Sequence, residues 1–316
     1  MGQQLPNLII AGVHKAGTTS VFTYLSLHPQ VCGSSIKEIG YFMPLRYGLP
    51  LPDASVYAAY WNHCKPQAKY RLEASPSYLY GGSVIAAALE ELLGREVRIL
   101  ILLRNPAERL FSFYERKKVN AYLPQDMTFR RFAELSLQRC GQEPKGLREE
   151  DTESLLRRGI SEGFYADYLP PWLERYGNRL RLLFFEDLRN DTPAFMQELC
   201  QWLELDFSVY RPEDFVIENQ TTAVRSGWLH RSLLAVNKKF ESFWRKNVAL
   251  KRTLRRWYKQ VNTVEGKRER LREEDRQWLE EIYRPYNARL VALLQQHGIS
   301  RWPEWLTRSA YEPTAS

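Results

Sequence analysis

Hydrophobic residues follow two alternating patterns along the first 120 residues of the chain. Short continuous apolar runs, such as Leu8–Ile10 and "VRILILLRNP" (97–106), are typical of strands buried on both faces of a sheet. "SVIAAALEELLG" (83–94) and "AERLFSFYERKKV" (107–119) carry apolar residues at three- to four-residue spacing, which predicts helices. This alternation of strand and helix predicts an α/β fold in which helices flank a central parallel sheet.

Later segments continue the alternation less regularly. We predict strands followed by turns for "KYRLEASPSYLYG" (69–81) and "RLRLLFFEDLRN" (179–190). We predict helices for "GFYADYLPPWLERYG" (163–177) and "TPAFMQELCQWLEL" (192–205). Everything after residue 230 has helical periodicity.

A polar, charge-rich stretch at 120–160 interrupts this pattern. It predicts a partly helical insertion or lid, and we expect ligand specificity to lie there. The sequence contains no internal repeat and no low-complexity linker. We therefore expect one domain over 1–316, with a helical C-terminal part over 230–300.

The composition is that of an ordinary globular protein. Of the 316 residues, 44% are hydrophobic and 26% are charged, unlike a disordered segment. No apolar run reaches the roughly 18 residues needed to cross a membrane, and no signal peptide is visible. We therefore expect a cytoplasmic protein, with a trimmed catalytic domain from the Golgi lumen as the alternative. The net charge of +8 favours an anionic partner: a phosphorylated cofactor, an acidic polymer or an anionic membrane surface.

The four cysteines do not form a recognisable metal motif. Cys32, Cys64, Cys140 and Cys200 include no C-x-x-C pair, so a zinc site is not predicted. We expect them to be small buried hydrophobic residues in a reducing compartment.

The segment between the first predicted strand and the first predicted helix is "GVHKAGTTS" (12–20). It approaches the nucleotide-binding pattern G-x-x-x-x-G-K-[ST], but Thr18 stands at the lysine position and Lys15 lies inside the loop. Gly12 and Gly17 allow a tight backbone path. Because backbone N–H groups and a helix N-terminus attract anions, the sequence predicts a phosphate-binding loop with a displaced lysine.

A second strand supplies a cation where a nucleotide-hydrolysing site needs an acid. Such sites usually hold Mg²⁺ with an acidic residue at the end of a second strand, but "RILILLRNP" ends in Arg104 and Asn105. An arginine at this place would bind another phosphate. The pattern therefore weighs against a P-loop nucleotide kinase, which stays open as an alternative.

Four motifs in order resemble one enzyme family. "GVHKAGTTSVFTYLSLHPQV", "KEIGYF", "EASPSYL" and "LLRNPAERLFSFY" resemble the sulfotransferases that use 3′-phosphoadenosine 5′-phosphosulfate. They are most similar to the branch of bacterial and Golgi carbohydrate sulfotransferases, such as the heparan sulfate enzymes. A weaker resemblance covers 163–294. The resemblance as a whole implies the P-loop-containing sulfotransferase fold, with this nucleotide as donor co-substrate and no metal. It also implies that the acceptor is a carbohydrate or other metabolite, which reacts through a hydroxyl or, as the alternative, an amine.

The resemblance also implies roles for individual residues. Lys15 matches the lysine that stabilises the leaving phosphate, and Glu38 matches the catalytic base, which takes the proton of the acceptor hydroxyl. Arg104 and Ser112 match the pair that binds the 3′-phosphate. The residues that match those around the 5′-phosphate are Lys15, Ala16, Gly17, Thr18, Thr19 and Ser20.

Two positions depart from the family pattern. Gly40 stands where some heparan enzymes have a histidine, so a Glu–His pair is not supported. Ala74 stands where some relatives have a lysine, so acceptor activation is expected to depend on Glu38 alone. We expect His14, which is tempting as a base, to be a structural loop residue.

The C-terminal part offers further basic residues. Family members usually close over the nucleotide with a basic, glycine-containing loop, which Gly266, Lys267 and Arg268 match, with Arg225 as a competing candidate. The segment 237–260 reads as a basic amphipathic helix with nine Lys or Arg residues and one acid. Three interpretations of this predicted helix stay open. Its charges are solvated while its apolar side packs on the core, or they steer an anionic acceptor such as an acidic glycan, or they contact a membrane. A non-enzymatic module that binds membrane or nucleic acid is the alternative from another class, although nucleic acid is not the expected partner.

Overall fold

A computed structural model describes residues 4–142, 151–215, 223–224, 263–264 and 270–311, with side chains up to residue 307. Its central feature is a sheet of five parallel strands in the order β2-β3-β1-β4-β5. The strands are β1 (Leu8–Gly12), β2 (Val31–Gly33), β3 (Tyr70–Ala74), β4 (Arg98–Leu103) and β5 (Leu180–Phe184).

Helices flank this sheet. Those in the first half of the chain are α1 (Thr18–Leu27), α2 (Met43–Arg46), α3 (Ala54–Ala58), α4 (Gly82–Leu93) and α5 (Pro106–Val119). The others are α6 (Phe129–Gln138), α7 (Thr152–Gly159), α8 (Tyr165–Tyr168), α9 (Pro170–Tyr176), α10 (Phe185–Asn190), α11 (Thr192–Leu203), α12 (Glu273–Gln296) and α13 (Glu304–Tyr311). The α/β fold with a central parallel sheet and a helical C-terminal region is therefore confirmed.

The middle of the sheet explains the continuous apolar runs. Every residue of β1 is buried, and only Arg98 of β4 is partly exposed, because the flanking helices cover both faces of a parallel sheet. β1 lies between β3 and β4, so connections leave it in both directions. Ligands of open α/β sheets bind outside the carboxyl ends of the strands at such a point, where the loops after β1, β3 and β4 meet.

The predicted insertion at 120–160 packs on a second hydrophobic cluster. α6 and α7 bury Phe132 and Leu155 together with Phe113 of α5 and Tyr283 of α12. The described residues of this stretch are thus partly helical, and that it is an insertion or lid stays a prediction. Whether the chain is one domain stays a prediction.

Most predicted elements are present, and three features differ. Segment 163–177 forms two short helices, since Pro170 and Pro171 begin α9 and proline lacks the N–H that would continue a helix. The short strand β2 was not predicted. The prediction that everything after 230 is helical is wrong at β7 (Thr263–Val264), which pairs antiparallel with β6 (Ala223–Val224); local periodicity does not reveal pairing between segments so far apart.

The cysteine prediction is wrong for two of the four residues. Cys32 at β2 and Cys64 form a disulfide, with Cα atoms 5.8 Å apart. They were expected to be reduced, buried hydrophobic residues, but the fold brings them together although 32 residues separate them in the sequence. Cys140 and Cys200 are free thiols, of which Cys200 is buried.

Candidate active site

The loop after β1 is built from backbone geometry that only certain residues adopt easily. Val13 N donates to Leu102 O of β4 at 2.9 Å, which fixes the loop to the neighbouring strand. Gly17 precedes α1 with a left-handed φ of 82°, and a Cβ there would lie 2.7 Å from Leu188 Cδ2. Glycine is therefore required where the loop enters α1.

Lys15 lies at the turn of this loop, half-buried, with a positive φ of 70°. Burial first, and then the charges of Arg116 and Arg104, lower the pKa of its ammonium to about 8. The neighbouring cations therefore create a positive potential at the loop. A phosphorylated ligand would relieve their mutual repulsion.

Arg104 connects the end of β4 to this loop. Its Nη1 donates to Lys15 O at 2.9 Å, and its guanidinium lies 4.5 Å from the centroid of the Phe185 ring. Glu108 lies 3.6 Å from Nη2, and Tyr165 donates to the Arg104 carbonyl at 2.8 Å. The arginine is thus held beside Lys15 from several sides.

α5 begins directly after Arg104 and carries two further polar candidates. Asn105 caps the helix, with its Oδ1 accepting from Ala107 N at 3.0 Å and Glu108 N at 3.2 Å. Ser112 and Arg116 are four residues apart and therefore share a helix face. Arg116 lowers the pKa of Lys15 by its charge. The sequence analysis missed Arg116, although its spacing from Ser112 was a usable signal.

Glu38 lies on the loop between β2 and α2, and its side chain is 55% exposed. Its Oε1 accepts from Lys37 Nζ at 2.6 Å. Desolvation raises the pKa of this carboxyl, but the charge and hydrogen bond of Lys37 and the charges of His14 and Lys117 together hold the pKa below its usual range. Glu38 is therefore a carboxylate at neutral pH.

His14 lies between this loop and a buried ion-pair cluster. Its Nε2 is buried without a hydrogen-bond partner among the described residues, and its ring stacks on Tyr80 at a centroid distance of 6.4 Å. Burial lowers the pKa of His14 to about 4, while Glu162 and Glu38 act in the opposite direction. The imidazole is thus neutral at physiological pH, and the prediction of a structural role stays a prediction.

The predicted site residues divide into those that the structure describes and those that lie outside the described residues. The residues on the loop after β1 and the first turn of α1 are Lys15, Ala16, Gly17, Thr18, Thr19 and Ser20. Arg104 is hydrogen-bonded to that loop, and Glu38 and Ser112 lie on separate elements. The candidates Arg225, Gly266, Lys267 and Arg268, and the basic segment 237–260, lie outside the described residues.

One cluster has the composition of a metal site. Within the described part of the chain, the single group of potential ligands at metal-binding spacing is Cys32, His63 and Cys64, whose ligand atoms lie within 4.8 Å of one another. The two sulfur atoms are joined in the disulfide and offer no thiolate to a metal. The expectation of a reaction without metal stays a prediction.

No described helix combines the length and the hydropathy that a membrane span requires.

Comparison with known proteins gives one family. A family model described as "Sulfotransferase domain" matches residues 5–291. The chain is 26% identical over 215 residues to the bifunctional heparan sulfate N-deacetylase/N-sulfotransferase 2 of Homo sapiens, an alignment that covers 63% of this chain and 22% of the human protein. The corresponding bifunctional enzyme of Drosophila melanogaster is 24% identical over 322 residues, covering 96% of this chain and 27% of the fly protein.

The fold has a counterpart among solved structures. The crystal structure of a sulfotransferase from Alicyclobacillus acidocaldarius superimposes with a TM-score of 0.64 at 20% identity, covering 96% of this chain and 99% of that one. The chain thus has the overall fold of that protein, and it spans about a quarter of the length of the curated relatives that it matches.

Proposed function

The chain belongs to the sulfotransferase family, and from this premise we propose that it transfers a sulfuryl group from 3′-phosphoadenosine 5′-phosphosulfate to a carbohydrate acceptor. The observation that carries the proposal is the hydrogen bond from Arg104 Nη1 to Lys15 O. It brings together the two cations that the family resemblance assigns to the two phosphate groups of this donor.

The donor needs two anion sites, and the described residues offer both. The 5′-phosphosulfate fits the loop after β1, where Lys15, the backbone of Ala16 and Gly17 and the start of α1 lie together. The 3′-phosphate fits Arg104 and Ser112, with Arg116 on the same face of α5 as Ser112. The lowered pKa of Lys15 supports this assignment, since after burial its main causes are the charges of Arg116 and Arg104, a cluster of cations that anions would stabilise.

The transfer step uses Lys15 and Glu38 in separate roles. The acceptor oxygen or nitrogen forms a bond to sulfur as the bond between sulfur and the bridging phosphate oxygen breaks. Lys15 stabilises the negative charge that develops on that leaving oxygen. Glu38 Oε takes the proton that the acceptor loses. The products are the sulfated acceptor and adenosine 3′,5′-bisphosphate, and no covalent enzyme intermediate is required.

The lowered pKa of the Glu38 carboxyl suits its role as the proton acceptor in this step. A carboxylate held ionised by Lys37 is ready to accept a proton at neutral pH without prior deprotonation. It is a weak base toward a free hydroxyl, so proton transfer accompanies the attack on sulfur, when the hydroxyl proton becomes acidic. An amine acceptor would attack as the free amine, and Glu38 would take the proton that the nitrogen loses as its bond to sulfur forms.

The acceptor class follows from the relatives and from charge. The named relatives are heparan sulfate N-sulfotransferases, and the net charge of +8 favours an acidic polymer. A glycan is therefore the candidate acceptor, through a hydroxyl as the sequence motifs imply or through an amine as the names of these relatives indicate. The disulfide between Cys32 and Cys64 favours a lumenal or otherwise oxidising compartment over the cytoplasm.

A labelled-transfer assay tests the proposal. The full chain is incubated in EDTA with ³⁵S-labelled donor and with heparosan, N-deacetylated heparosan, chondroitin or a small alcohol. Label in heparosan indicates a hydroxyl acceptor, and label in N-deacetylated heparosan alone indicates an amine. Transfer to the small alcohol alone would remove the glycan assignment. Absence of transfer to all four, with phosphoryl transfer from ATP in Mg²⁺, would favour the kinase alternative.

A further inference from the structure

Glu73 is a buried carboxylate that the proposed chemistry does not use. It lies near the end of β3 with 0% exposure. Burial raises its pKa, and no salt-bridge partner lies beside it among the described residues. Glu162, another buried carboxylate, instead contacts Arg158 at 2.7 Å. A buried acid without a cation is costly, so its presence needs a reason other than packing.

Three hydroxyl groups satisfy the Glu73 carboxylate. Ser75 Oγ and Tyr78 OH each donate to Oε1 at 2.7 Å, and Tyr57 OH donates to Oε2. All three residues are buried. Because each hydroxyl donates to the carboxyl group, the direction of its hydrogen is fixed.

Two of these hydroxyls also accept hydrogen bonds from the loop that carries Glu38. Since their hydrogens point at Glu73, their oxygen atoms are left to accept. Ser75 Oγ accepts from Gly40 N at 3.0 Å, and Tyr78 OH accepts from Phe42 N at 3.4 Å. Together with the bond from Glu38 N to Ala74 O at 2.9 Å, every second N–H from 38 to 42 is bonded to residues between 74 and 78, at and just after the end of β3.

The loop requires such support because its backbone is strained. Glu38 has φ +62° and Gly40 has φ +67°. A left-handed conformation is unfavourable for glutamate and persists when surrounding contacts over-determine it. Ser75 N also donates to Ile10 O of β1 at 3.1 Å, so the segment that holds this loop is itself fixed to the strand before the Lys15 loop.

We propose that Glu73 is a positioning residue for Glu38, which it orients through the Ser75 and Tyr78 hydroxyls without touching the substrate. The inference rests on the proposed function in one respect, that Glu38 is the base. Glu73 therefore sets kcat through the geometry of the base and leaves donor binding to the loop after β1.

Matched variants separate positioning from packing. Glu73→Gln keeps the shape of the side chain. Its amide NH₂ replaces one carboxylate oxygen and cannot accept the hydrogen bonds that the hydroxyl groups donate to that oxygen. Ser75→Ala removes one bond to Glu73 and the bond to Gly40 N. Tyr57→Phe also removes one bond to Glu73 but no bond to the loop, because Tyr57 OH reaches only the carboxylate. Each is measured for kcat with labelled donor and the best acceptor of the panel, for the donor Kd and for Tm.

We expect Glu73→Gln and Ser75→Ala to lower kcat by about 10²-fold, the scale of a displacement of about 1 Å in a reacting group, with donor Kd within about twofold. Tyr57→Phe should lower Tm similarly and keep kcat within about threefold. Equal losses of kcat in Ser75→Ala and Tyr57→Phe at equal Tm would overturn the proposal. If Glu73→Gln does not fold, the comparison of kcat between Ser75→Ala and Tyr57→Phe still tests the proposal.

Amide hydrogen exchange gives a readout that does not depend on activity. Glu73→Gln and Ser75→Ala should accelerate exchange at Gly40 N–H relative to Tyr57→Phe. If exchange accelerates and the wild-type protein has no sulfotransferase activity, the positioning contact stands and the proposed function fails. If exchange at Gly40 is unchanged in both variants, the positioning proposal is wrong, whatever the activity.

Discussion

The loop after β1 and the loop after β2 leave the same edge of the sheet but are stabilised differently. The first makes its turn with its own residues, since Gly17 leads into α1 and Ala16 N bonds to Val13 O, and it is tied to β4 by Val13 N and to Arg104 by Lys15 O. The second, residues 34–42, depends on acceptors at Ala74, Ser75 and Tyr78. A loop encoded locally is visible in the sequence, whereas a loop held by a distant segment is visible only in the fold.

The largest expected effect concerns Glu38. Glu38→Gln should lower turnover by about 10²–10⁴-fold, the usual range for loss of a general base, because an amide cannot take the acceptor proton. Donor affinity should stay within about twofold, since the donor binds to the other loop. Turnover within a few-fold of wild type would show that Glu38 is not the base, and a matching loss of donor affinity would show that the two loops are not separable.

The next effect concerns Arg104. Arg104→Ala should weaken donor binding by about 10- to 150-fold, as for the loss of a hydrogen bond to a charged group, measured by calorimetry. Arg98→Ala is the control, because Arg98 lies at the opposite end of β4, where it pairs with Glu204 at 2.9 Å. That variant should change Tm and leave donor affinity alone. Equal loss of affinity in both variants would assign the effect to the strand and not to the site.

The pH dependence of donor binding tests Lys15. The pKa of this ammonium is about 8, and phosphate binding requires the protonated form. As pH rises above that value the free protein loses the proton, so affinity should fall by up to about tenfold per pH unit. Lys15→Arg should remove this dependence between pH 7 and 10, because a guanidinium stays charged. The same slope in both proteins would exclude Lys15 as the titrating group.

The smallest effect compares two left-handed glycines. Gly40 has φ +67° and Gly48 has φ +70°. A Cβ at Gly40 would first meet Met43 at 3.5 Å, and one at Gly48 would meet nothing within 4 Å. Alanine should therefore cost roughly 1–2 kcal/mol of stability through strain at either position. Only Gly40→Ala should also lower kcat; an equal effect of Gly48→Ala on kcat would contradict the special role of the second loop.

The same contrast explains what the sequence could predict. Continuous apolar runs identified β1 and β4, and the spacing of Gly12, Gly17 and Lys15 identified the first loop, because these signals lie within a few residues of one another. The meeting of Arg104 with Lys15 was predictable from the rule that parallel strands share their carboxyl edge.

Other features depended on long-range contacts. The disulfide between Cys32 and Cys64, the pairing of β6 with β7 and the network around Glu73 join residues that no local pattern relates. Glu73 in particular stands in an apolar strand pattern, where a single acid gives no hint of the hydroxyls that surround it. Arg116 was within reach of sequence reasoning, since it follows Ser112 by four residues.

The measurement that tests the central claim most directly is a calorimetric titration of donor analogues in EDTA. If the loop after β1 and Arg104 bind the two phosphate groups without metal, adenosine 3′,5′-bisphosphate should bind the full chain about 10- to 150-fold more tightly than adenosine 5′-phosphosulfate, which lacks the 3′-phosphate. Equal affinity for the two nucleotides, or binding that appears only when Mg²⁺ is added, would contradict the account.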